Sequence, residues 1–484
     1  MKRRKNKFIT QIQQCNNSIF AALNHFHMFT FQDSISTMPI LRFVYENLHF
    51  CTPMGRKLLI QTPYFTDKKT LEKCFNEVEQ VLLWIKSNEN HFEEVRELLS
   101  SVQDINNTLN RLANNDILDD VEFFEIKKCA IFMQKLNQKL VQTAFPLFFL
   151  HDTSEVIKIL DPENNLLPYF YIYSAYNKEL ASLRSRSGVT TSMEEKEDLL
   201  WQISKLEHKI RERLVKQLVT FVTHIEDNLQ TIAKIDLLFV KASLSIKWNC
   251  CKPEISDNCT SYIGLIHPIV EARLKKENSL FQPVNIELKS EPCLITGANM
   301  TGKSIFLKSV AFSQWMFQFG FYVPAQQASI VLVDKIHFVS GDSDTEKTGL
   351  SSFVNEIFHI HKILQDLKKG KKMLVLVDEF ARTTNPKEGN ALVSAFLEMM
   401  SSKKTICLVT THYSNVEGRF RRLRVKGIQW DKVESIKTNP QEMNRYIDYQ
   451  LEEINEKTAP EEAVKIAELL GIDDAYISLV KNYL

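Results

Sequence analysis

One stretch of the sequence contains glycines, a lysine and a serine at the spacing that binds phosphate. Residues Cys293 to Leu307 read CLITGANMTGKSIFL, with the pattern G-x-x-x-x-G-K-S from Gly297 to Ser304. In such a loop, backbone N–H groups surround phosphates at the positive start of a helix. CLIT predicts a strand before the loop and KSIFLKSVAF predicts a helix after it, which is the required context. We therefore predict that ATP binds to Gly297, Ala298, Asn299, Met300, Thr301, Gly302, Lys303 and Ser304.

Two side chains of this loop have separate predicted tasks, and an acidic pair completes them. Lys303 is expected to reach the β- and γ-phosphates, and Ser304 to offer its hydroxyl to Mg²⁺. Downstream, the run MLVLVDEFARTTNP predicts a buried strand that ends in Asp378 and Glu379. A carboxylate at the first position holds the Mg²⁺ shell, directly or through water, and one at the second activates the attacking water. We therefore predict Asp378 as a metal ligand and Glu379 as the general base.

A third strand ends in a histidine. TICLVTTHY predicts a strand with His412 at its carboxyl edge, where open α/β sheets bind their ligands. We predict that His412 senses the γ-phosphate. Small-molecule kinases also carry phosphate-binding loops, but they usually lack a strand-end Asp-Glu pair followed by a strand-end histidine. The set favours ATP hydrolysis of the ABC type.

The elements that must position these residues differ between the two halves of the chain. Of the 13 glycines, Gly55 and Gly188 precede residue 264 and the other eleven lie from Gly264 onward, which predicts a helical first half and an α/β second half. The apolar step of three and four residues continues from Leu199 to Ile232, without Gly or Pro between Val189 and Lys252. This predicts either a coiled-coil-like arm or ordinary long bundle helices.

The second half alternates short apolar runs with helical stretches, which predicts a parallel sheet flanked by helices. The predicted strands are CLIT, ASIVLV, MLVLV and TICLVTT. From Asn439 we expect helix again, with one helix that begins at Pro460 and ends at Gly471. The predicted fold class is an α/β P-loop NTPase domain of ABC type, preceded by an all-α region.

Composition narrows the setting of the protein. The 484 residues have a net charge of +1, which does not by itself indicate a nucleic-acid binder. No apolar run approaches the roughly 18 residues of a membrane span, and no apolar core follows the basic start MKRRKNKF. The nine cysteines form no C-x-x-C pair, which argues against zinc. We expect a reduced, cytoplasmic protein without a membrane partner.

The motifs together resemble one family. Leu294 to Tyr413 resembles the ATPase domain of the MutS mismatch-repair family, through ITGANMTGKS, GFYVPAQQASI, DKIHFVSGDSDTEKTGLSSF and the histidine of THY. HPIVEA at 267–272, TPMGRKLL at 52–59 and AKIDLLFVKAS at 233–243 are similar to MutS segments upstream. The resemblance implies four segments: an N-terminal tail and first helix at 1–42, a helical MutS-like core and lever arm at 43–252, the ATPase domain at 253–430, and a C-terminal helical segment at 431–484 that is a candidate for dimerisation.

In that family the ATPase is a dimer, and each site is completed by a serine of the other subunit. Ser351, in GLSSF, stands at that position, and Asn299 matches a position near the γ-phosphate. The family aromatic that stacks on adenine has Ser279 at its matching position, with Phe281 two residues on. The resemblance therefore implies a homodimer that uses ATP and Mg²⁺, with Ser351 acting in trans.

Departures from the family pattern bear on the partner. The core resemblance starts near residue 43, which leaves no room for the mismatch-reading domain, and the lever region at roughly 130–245 is short. The family motif GRGTST is ARTTNP here, Ala381 to Pro386. This variant, together with GLSSF, resembles that of a divergent branch whose members reactivate a B12-dependent lysine aminomutase. We expect remodelling of such a protein partner; the alternatives are a DNA-binding clamp in repair or recombination, and a nucleotide-controlled scaffold with little turnover.

Overall fold

The computed structural model describes residues 29–297, 301–340, 352–401, 405–413, 415–433, 446–454 and 463–483. The tail before residue 29, the loop residues Ala298, Asn299 and Met300, Ser351, and the expected helix start at Pro460 lie outside this part of the chain. Contacts divide the chain into two units. Unit 1 comprises residues 1–63 and 76–243, and unit 2 comprises residues 64–75 and 244–484.

Unit 1 is helical, as the glycine distribution predicts. Two helices, Lys68–Ser87 and Val222–Lys247, have residues in both units. The helices are α1 Phe31–Thr37, α2 Pro39–Glu46, α3 Pro53–Gln61, α4 Lys68–Ser87, α5 Glu89–Ser100, α6 Asn106–Ala113, α7 Asp120–Gln142, α8 Ser154–Leu160, α9 Lys178–Val189, α10 Met193–Leu218 and α11 Val222–Lys247.

The long apolar repeat forms two helices rather than one. Helices α10 and α11 follow each other across a single 3₁₀ turn at Val219–Phe221. The repeat positions are buried or half-buried, for example Leu214 and Ile225 at 1% exposure. Helix α9 packs against α10, so the segment is a helical hairpin within unit 1. The 3.6-residue period therefore correctly identifies the face that is removed from water.

Unit 2 contains two β-sheets with helices. Four strands form one sheet in the order β1-β5-β2-β3, and six form the other in the order β10-β9-β4-β8-β7-β6. The strands are β1 Glu254–Ser256, β2 Cys259–Leu265, β3 Val284–Lys289, β4 Pro292–Thr296, β5 Gln327–Val331, β6 Lys335–Ser340, β7 Met373–Asp378, β8 Thr405–Thr410, β9 Arg421–Ile428 and β10 Ile447–Glu453. The helices are α12 Pro268–Lys276, α13 Lys303–Gln318, α14 Ser352–Lys368, α15 Pro386–Met399, α16 Ala463–Leu469 and α17 Asp474–Asn482.

The six-stranded sheet is parallel except at one edge. Strands β9, β4, β8, β7 and β6 run parallel, and β10 pairs antiparallel with β9. The strands β4, β7 and β8 are buried along their whole length because helices cover the sheet, which is why they read as unbroken apolar runs. The predicted parallel sheet flanked by helices is thus present in unit 2.

Two strand predictions were incomplete. The expectation of helix after Asn439 is wrong for β10, whose residues IDYQLEE alternate between the two faces of an edge strand, a weak signal in seven residues. The run ASIVLV forms β5, but in the four-stranded sheet, where β5 pairs antiparallel with β2. Sequence periodicity identifies a strand but does not specify its partner. Among the residues that the structure describes, no helix is long and apolar enough to cross a membrane.

Candidate active site

The carboxyl ends of three neighbouring parallel strands meet at one edge of the six-stranded sheet. Strands β4, β8 and β7 lie side by side, and they end at Thr296, Thr410 and Asp378. The three predicted motifs follow these ends directly. A cavity of about 1030 Å³ opens here and is lined by residues of all three motifs: Thr301, Gly302, Lys303, Ser304, Glu379 and His412. The edge of the sheet therefore brings together residues that are more than 100 positions apart in the sequence.

The described part of the glycine loop is shaped to approach a ligand closely. Gly297 and Gly302 have φ angles of 146° and 81°, which favour glycine. A Cβ atom at Gly302 would lie 2.9 Å from Cδ1 of Tyr449, so a side chain there would clash with the cavity wall. Helix α13 begins at Lys303, directly after Gly302, so its first N–H groups have no acceptor within the helix. This is the geometry of an anion site at a helix N-terminus.

Lys303 is the charged residue of the loop. Its side chain is 5% exposed, and Nζ donates a hydrogen bond to the carbonyl oxygen of Gly297 at 2.6 Å. Burial lowers the pKa of Lys303, while the negative charges of Glu379 and Asp378 act in the opposite direction. The lysine thus sits next to both predicted carboxylates, which is the neighbourhood that the sequence motifs require.

Asp378 and Glu379 are held by a residue that the sequence analysis did not identify. The Thr410 hydroxyl donates to Oδ1 of Asp378 at 2.7 Å and accepts the N–H of Glu379 at 2.8 Å. Thr410 is the last residue of β8, so it is adjacent to the end of β7. Its position before Thr411 and His412 in the sequence offered a signal, because polar residues at that strand end face the same edge.

The Glu379 carboxylate contacts an arginine and a histidine. Its Oε1 lies 2.7 Å from Nε2 of His412, and Oε2 accepts from Nη1 of Arg382 at 2.5 Å. Burial would raise the pKa of Glu379, but the hydrogen bonds from Arg382 and His412 outweigh this and lower it. Glu379 is therefore a carboxylate at neutral pH. The sequence predicts Glu379 and His412 as site residues but does not predict their contact. Arg382 is not predicted from the sequence.

A separate wall of the cavity comes from distant parts of unit 2. Ser279, Leu280 and Phe281 line it, together with Ile447, Tyr449 and Leu451 of β10. Gln282 joins the two segments: its amide donates to Asp448 at 2.8 Å and accepts the N–H of Tyr449 at 2.9 Å. This wall is mainly apolar and contains two aromatic rings, those of Phe281 and Tyr449. The contribution of β10 was missed because this segment was predicted to be helical.

The chain matches a known family at this site. Residues 293–483 match the family MutS domain V. The DNA mismatch repair protein MutS of Alkaliphilus metalliredigens is 32% identical over 226 residues, which are 45% of this chain and 24% of that protein. The Thermus aquaticus protein of the same name is 29% identical over 255 residues, 51% of this chain and 30% of that protein.

A longer match covers more of the chain. The DNA mismatch repair protein MutS of Bacillus licheniformis is 25% identical over 317 residues, which are 64% of this chain and 35% of that protein. The chain is similar to the MutS family through this domain. It spans about a quarter to about a third of the length of these relatives.

Proposed function

We propose that the protein binds and hydrolyses ATP with Mg²⁺, as a P-loop NTPase of ABC type. The observation that carries the proposal is the convergence of Lys303, Glu379 and His412 on one cavity at the end of a parallel sheet. This combination provides a cation for the phosphates, a carboxylate for the water and an imidazole that contacts the carboxylate. The apolar wall opposite fits the base of the nucleotide.

The chemistry would be divided among these side chains. Lys303 would exchange its bond to Gly297 for the β- and γ-phosphates, because a charged acceptor binds an ammonium more strongly than a carbonyl does. Glu379 would accept the proton of the attacking water. His412 would hold that carboxylate in place and sense the γ-phosphate. Asn299 would contribute a further contact near that phosphate, as the family resemblance implies.

The residues at the site also fit Mg²⁺. The Ser304 hydroxyl and the Asp378 carboxylate supply hard oxygen ligands, and Asp378 is oriented by Thr410. Within the described ranges, no cluster of three or more His, Cys, Asp or Glu side chains could hold a metal ion. A site with few protein ligands suits Mg²⁺, which takes one or two carboxylates and shares the substrate phosphates. Bound there, Mg²⁺ would neutralise charge on the phosphates.

We infer that the active form is a homodimer. Helix α17 and its flanks expose a stripe of large apolar side chains at helical spacing: Ile472 44%, Tyr476 60%, Leu479 58% and Tyr483 91%. A stripe of this kind is normally covered by a partner surface. A dimer would also let Ser351 of one subunit complete the site of the other. The described cysteines are free thiols, which supports a reducing, cytoplasmic setting.

For the partner, we propose a protein that is remodelled as the helical region moves, with a B12-dependent lysine aminomutase as the specific candidate. The supporting observation is the tip of the α9–α10 hairpin. Val189, Met193 and Trp201 are exposed there at 83%, 73% and 63%, and α10 begins with Glu194 and Glu195. DNA binding depends on Lys and Arg against phosphates, whereas an apolar and acidic tip suits a protein surface.

The second candidate is a DNA-binding clamp in mismatch repair or recombination. The names of the relatives favour it, because each is called a DNA mismatch repair protein. In this case ATP binding would change the grip on a duplex rather than on an enzyme.

One experiment addresses both parts of the proposal. ATP turnover is measured with and without Mg²⁺, and then with the aminomutase holding damaged cofactor or with duplex DNA. We expect Mg²⁺-dependent turnover, stimulation by the inactivated enzyme and return of its activity. No turnover under any of these conditions would contradict the ATPase assignment. Stimulation by DNA alone would favour the clamp.

Mismatched DNA provides the stricter comparison. Affinities for matched and mismatched duplexes are measured at two salt concentrations, with and without ATP. Binding through phosphates alone falls steeply with salt and ignores the mismatch. A tenfold preference for the mismatch, about 1.4 kcal/mol, that persists at the higher salt would overturn the protein-remodelling proposal.

A further inference from the structure

The turn after the acidic pair has an unusual backbone. Glu379 and Ala381 have φ angles of 53° and 61°, in the left-handed region that favours glycine, although neither is glycine. The turn is closed by bonds from Arg382 N–H to the Glu379 carbonyl and from Thr384 N–H to the Ala381 carbonyl. Non-glycine residues persist in this region where their surroundings fix the conformation. The Glu379 side chain leaves from this strained turn.

The first peptide groups of the turn are held by β8. Thr410 accepts the N–H of Glu379 at its hydroxyl and the N–H of Phe380 at its carbonyl, 3.2 Å away. These bonds fix the entry into the turn but not the peptide groups of Ala381, which lie beyond the reach of the strand.

Ala381 is fixed on both sides by side chains of other elements. Oε1 of Glu356, on α14, accepts the Ala381 N–H at 3.0 Å, and the Tyr413 hydroxyl donates to the Ala381 carbonyl at 2.6 Å. Ala381 itself is 0% exposed, so water does not replace these bonds. Together with the Thr384 N–H bond to the same carbonyl, these two side chains maintain the left-handed conformation.

We propose that Glu356 is a positioning residue for hydrolysis: by accepting the Ala381 N–H, it holds the turn that directs Glu379 into the cavity. The inference rests on the proposed ATPase function. Glu356 is half-buried and is not among the described residues that line the cavity, so it acts through the turn rather than on the substrate.

The environment of Glu356 agrees with this role. Burial raises the pKa of Glu356 to about 7, against the opposing effect of the Ala381 N–H bond, and Tyr413 is the titratable group that faces it. A carboxyl group that is removed from water destabilises the fold unless it is hydrogen-bonded. Glycine would adopt this conformation without support, whereas alanine does not. Alanine makes the acceptor necessary.

The test compares substitutions that remove or keep the acceptor. In Glu356→Leu we expect kcat for ATP to fall at least tenfold while KM changes less than threefold, because the base moves but the phosphate loop does not. Glu356→Gln keeps an amide oxygen and should retain most of the activity. The same change at an exposed glutamate of α15, Glu398→Leu, is the control. Adding Ala381→Gly to Glu356→Leu should recover part of kcat.

A second readout does not depend on hydrolysis. Amide hydrogen exchange of the peptide covering 377–384 should be faster in Glu356→Leu than in the wild type and unchanged in Glu356→Gln. If Glu356→Leu does not fold, Glu356→Asp replaces it, since the shorter side chain keeps the charge but does not reach Ala381. We expect the same loss of protection.

The outcomes separate the two proposals. If the wild type does not hydrolyse ATP, the proposed function fails, and exchange alone decides whether Glu356 holds the turn. Unchanged protection and an unchanged kcat in Glu356→Leu and Glu356→Asp would overturn the inference. A fall in kcat with an equal rise in KM in Glu356→Leu, and the same defect in Glu356→Gln, would indicate a general structural role. That result would also overturn the inference.

Discussion

Lys303 and Gly297 are joined by a hydrogen bond of 2.6 Å from the lysine Nζ to the glycine carbonyl. The bond spans the loop that Gly297 opens and Lys303 closes. It keeps the buried ammonium paired, because an unpaired charge at 5% exposure would be strongly disfavoured. Phosphate binding would replace this acceptor by a stronger one, so the loop holds its lysine close to the position it needs.

Lys303→Ala should weaken ATP binding by at least tenfold, because a hydrogen bond to a charged group contributes about 1.5–3 kcal/mol. The measurement is titration with a fluorescent ATP analogue. Lys308→Ala, on the exposed side of the same helix, is the control and should bind normally. Equal affinity in the Lys303 variant and the wild type would remove the lysine from the site.

Glu379→Gln should bind ATP with unchanged affinity and lower kcat by about 10²–10⁴-fold, which is the usual contribution of a general base. The amide still accepts from Arg382 but does not take a proton from water. Single-turnover hydrolysis and nucleotide binding are measured on the same sample. Glu388→Gln, at an exposed position of α15, is the control. Turnover at the wild-type rate would assign the base elsewhere.

Mixing two inactive variants should test whether the site is shared. Ser351→Ala and Lys303→Ala proteins should each be poor ATPases, because each lacks one component of every site. A heterodimer contains one site in which both residues are intact, so activity should partly return. Subunit exchange is confirmed independently with tagged chains. Exchange without any recovery would argue against Ser351 acting in trans.

His267→Asn should make unit 2 less sensitive to acid. His267 caps α12 by accepting the Val270 N–H, and burial, with the charges of Lys308 and Arg273, lowers its pKa to about 4. The fold binds the neutral ring, so this contribution to stability is complete above about pH 6.5 and is lost as the pH falls towards 4. Asparagine keeps the cap and does not titrate.

The measurement for His267 is urea unfolding at pH 7 and pH 4.5. When the pH is lowered from 7 to 4.5, the variant should lose about 2 kcal/mol less free energy of unfolding than the wild type. His208→Asn, which replaces a side chain that is 60% exposed, should show no such gain. An equal loss of unfolding free energy in the His267 variant and the wild type would show that protonation of His267 does not destabilise unit 2.

The sequence predicts the site residues that belong to short, local patterns. Gly302, Lys303, Asp378 and Glu379 lie beside strand ends whose apolar runs are unambiguous, and the structure places them at one edge. The sequence does not predict Thr410, Arg382 or Tyr449 as site residues. Their roles depend on which strands are neighbours and which loops face each other, and these are long-range properties that no local period reports.

Glu356 illustrates the same limit from another side. In the sequence it is one acidic residue on an amphipathic helix, where a solvated side chain is the ordinary expectation. Its bond to Ala381 spans 25 positions and depends on the packing of α14 against β6, the strand next to β7. The alanine in ARTTNP was visible as a departure from the family pattern, but its left-handed backbone was not.

The contacts of residues 64–75 with the rest of unit 2 have a consequence for synthesis of the chain. Phe65 donates its N–H to the Gln318 carbonyl, and its carbonyl accepts from the Gln318 amide, 253 positions later. Gln318 is the last residue of the helix that starts at Lys303. A segment made early on the ribosome must therefore wait for most of the chain before it finds its contacts, while residues 76–243 can already fold as a helical unit. Unit 2, which contains the candidate site, is therefore completed only after the helical unit can form.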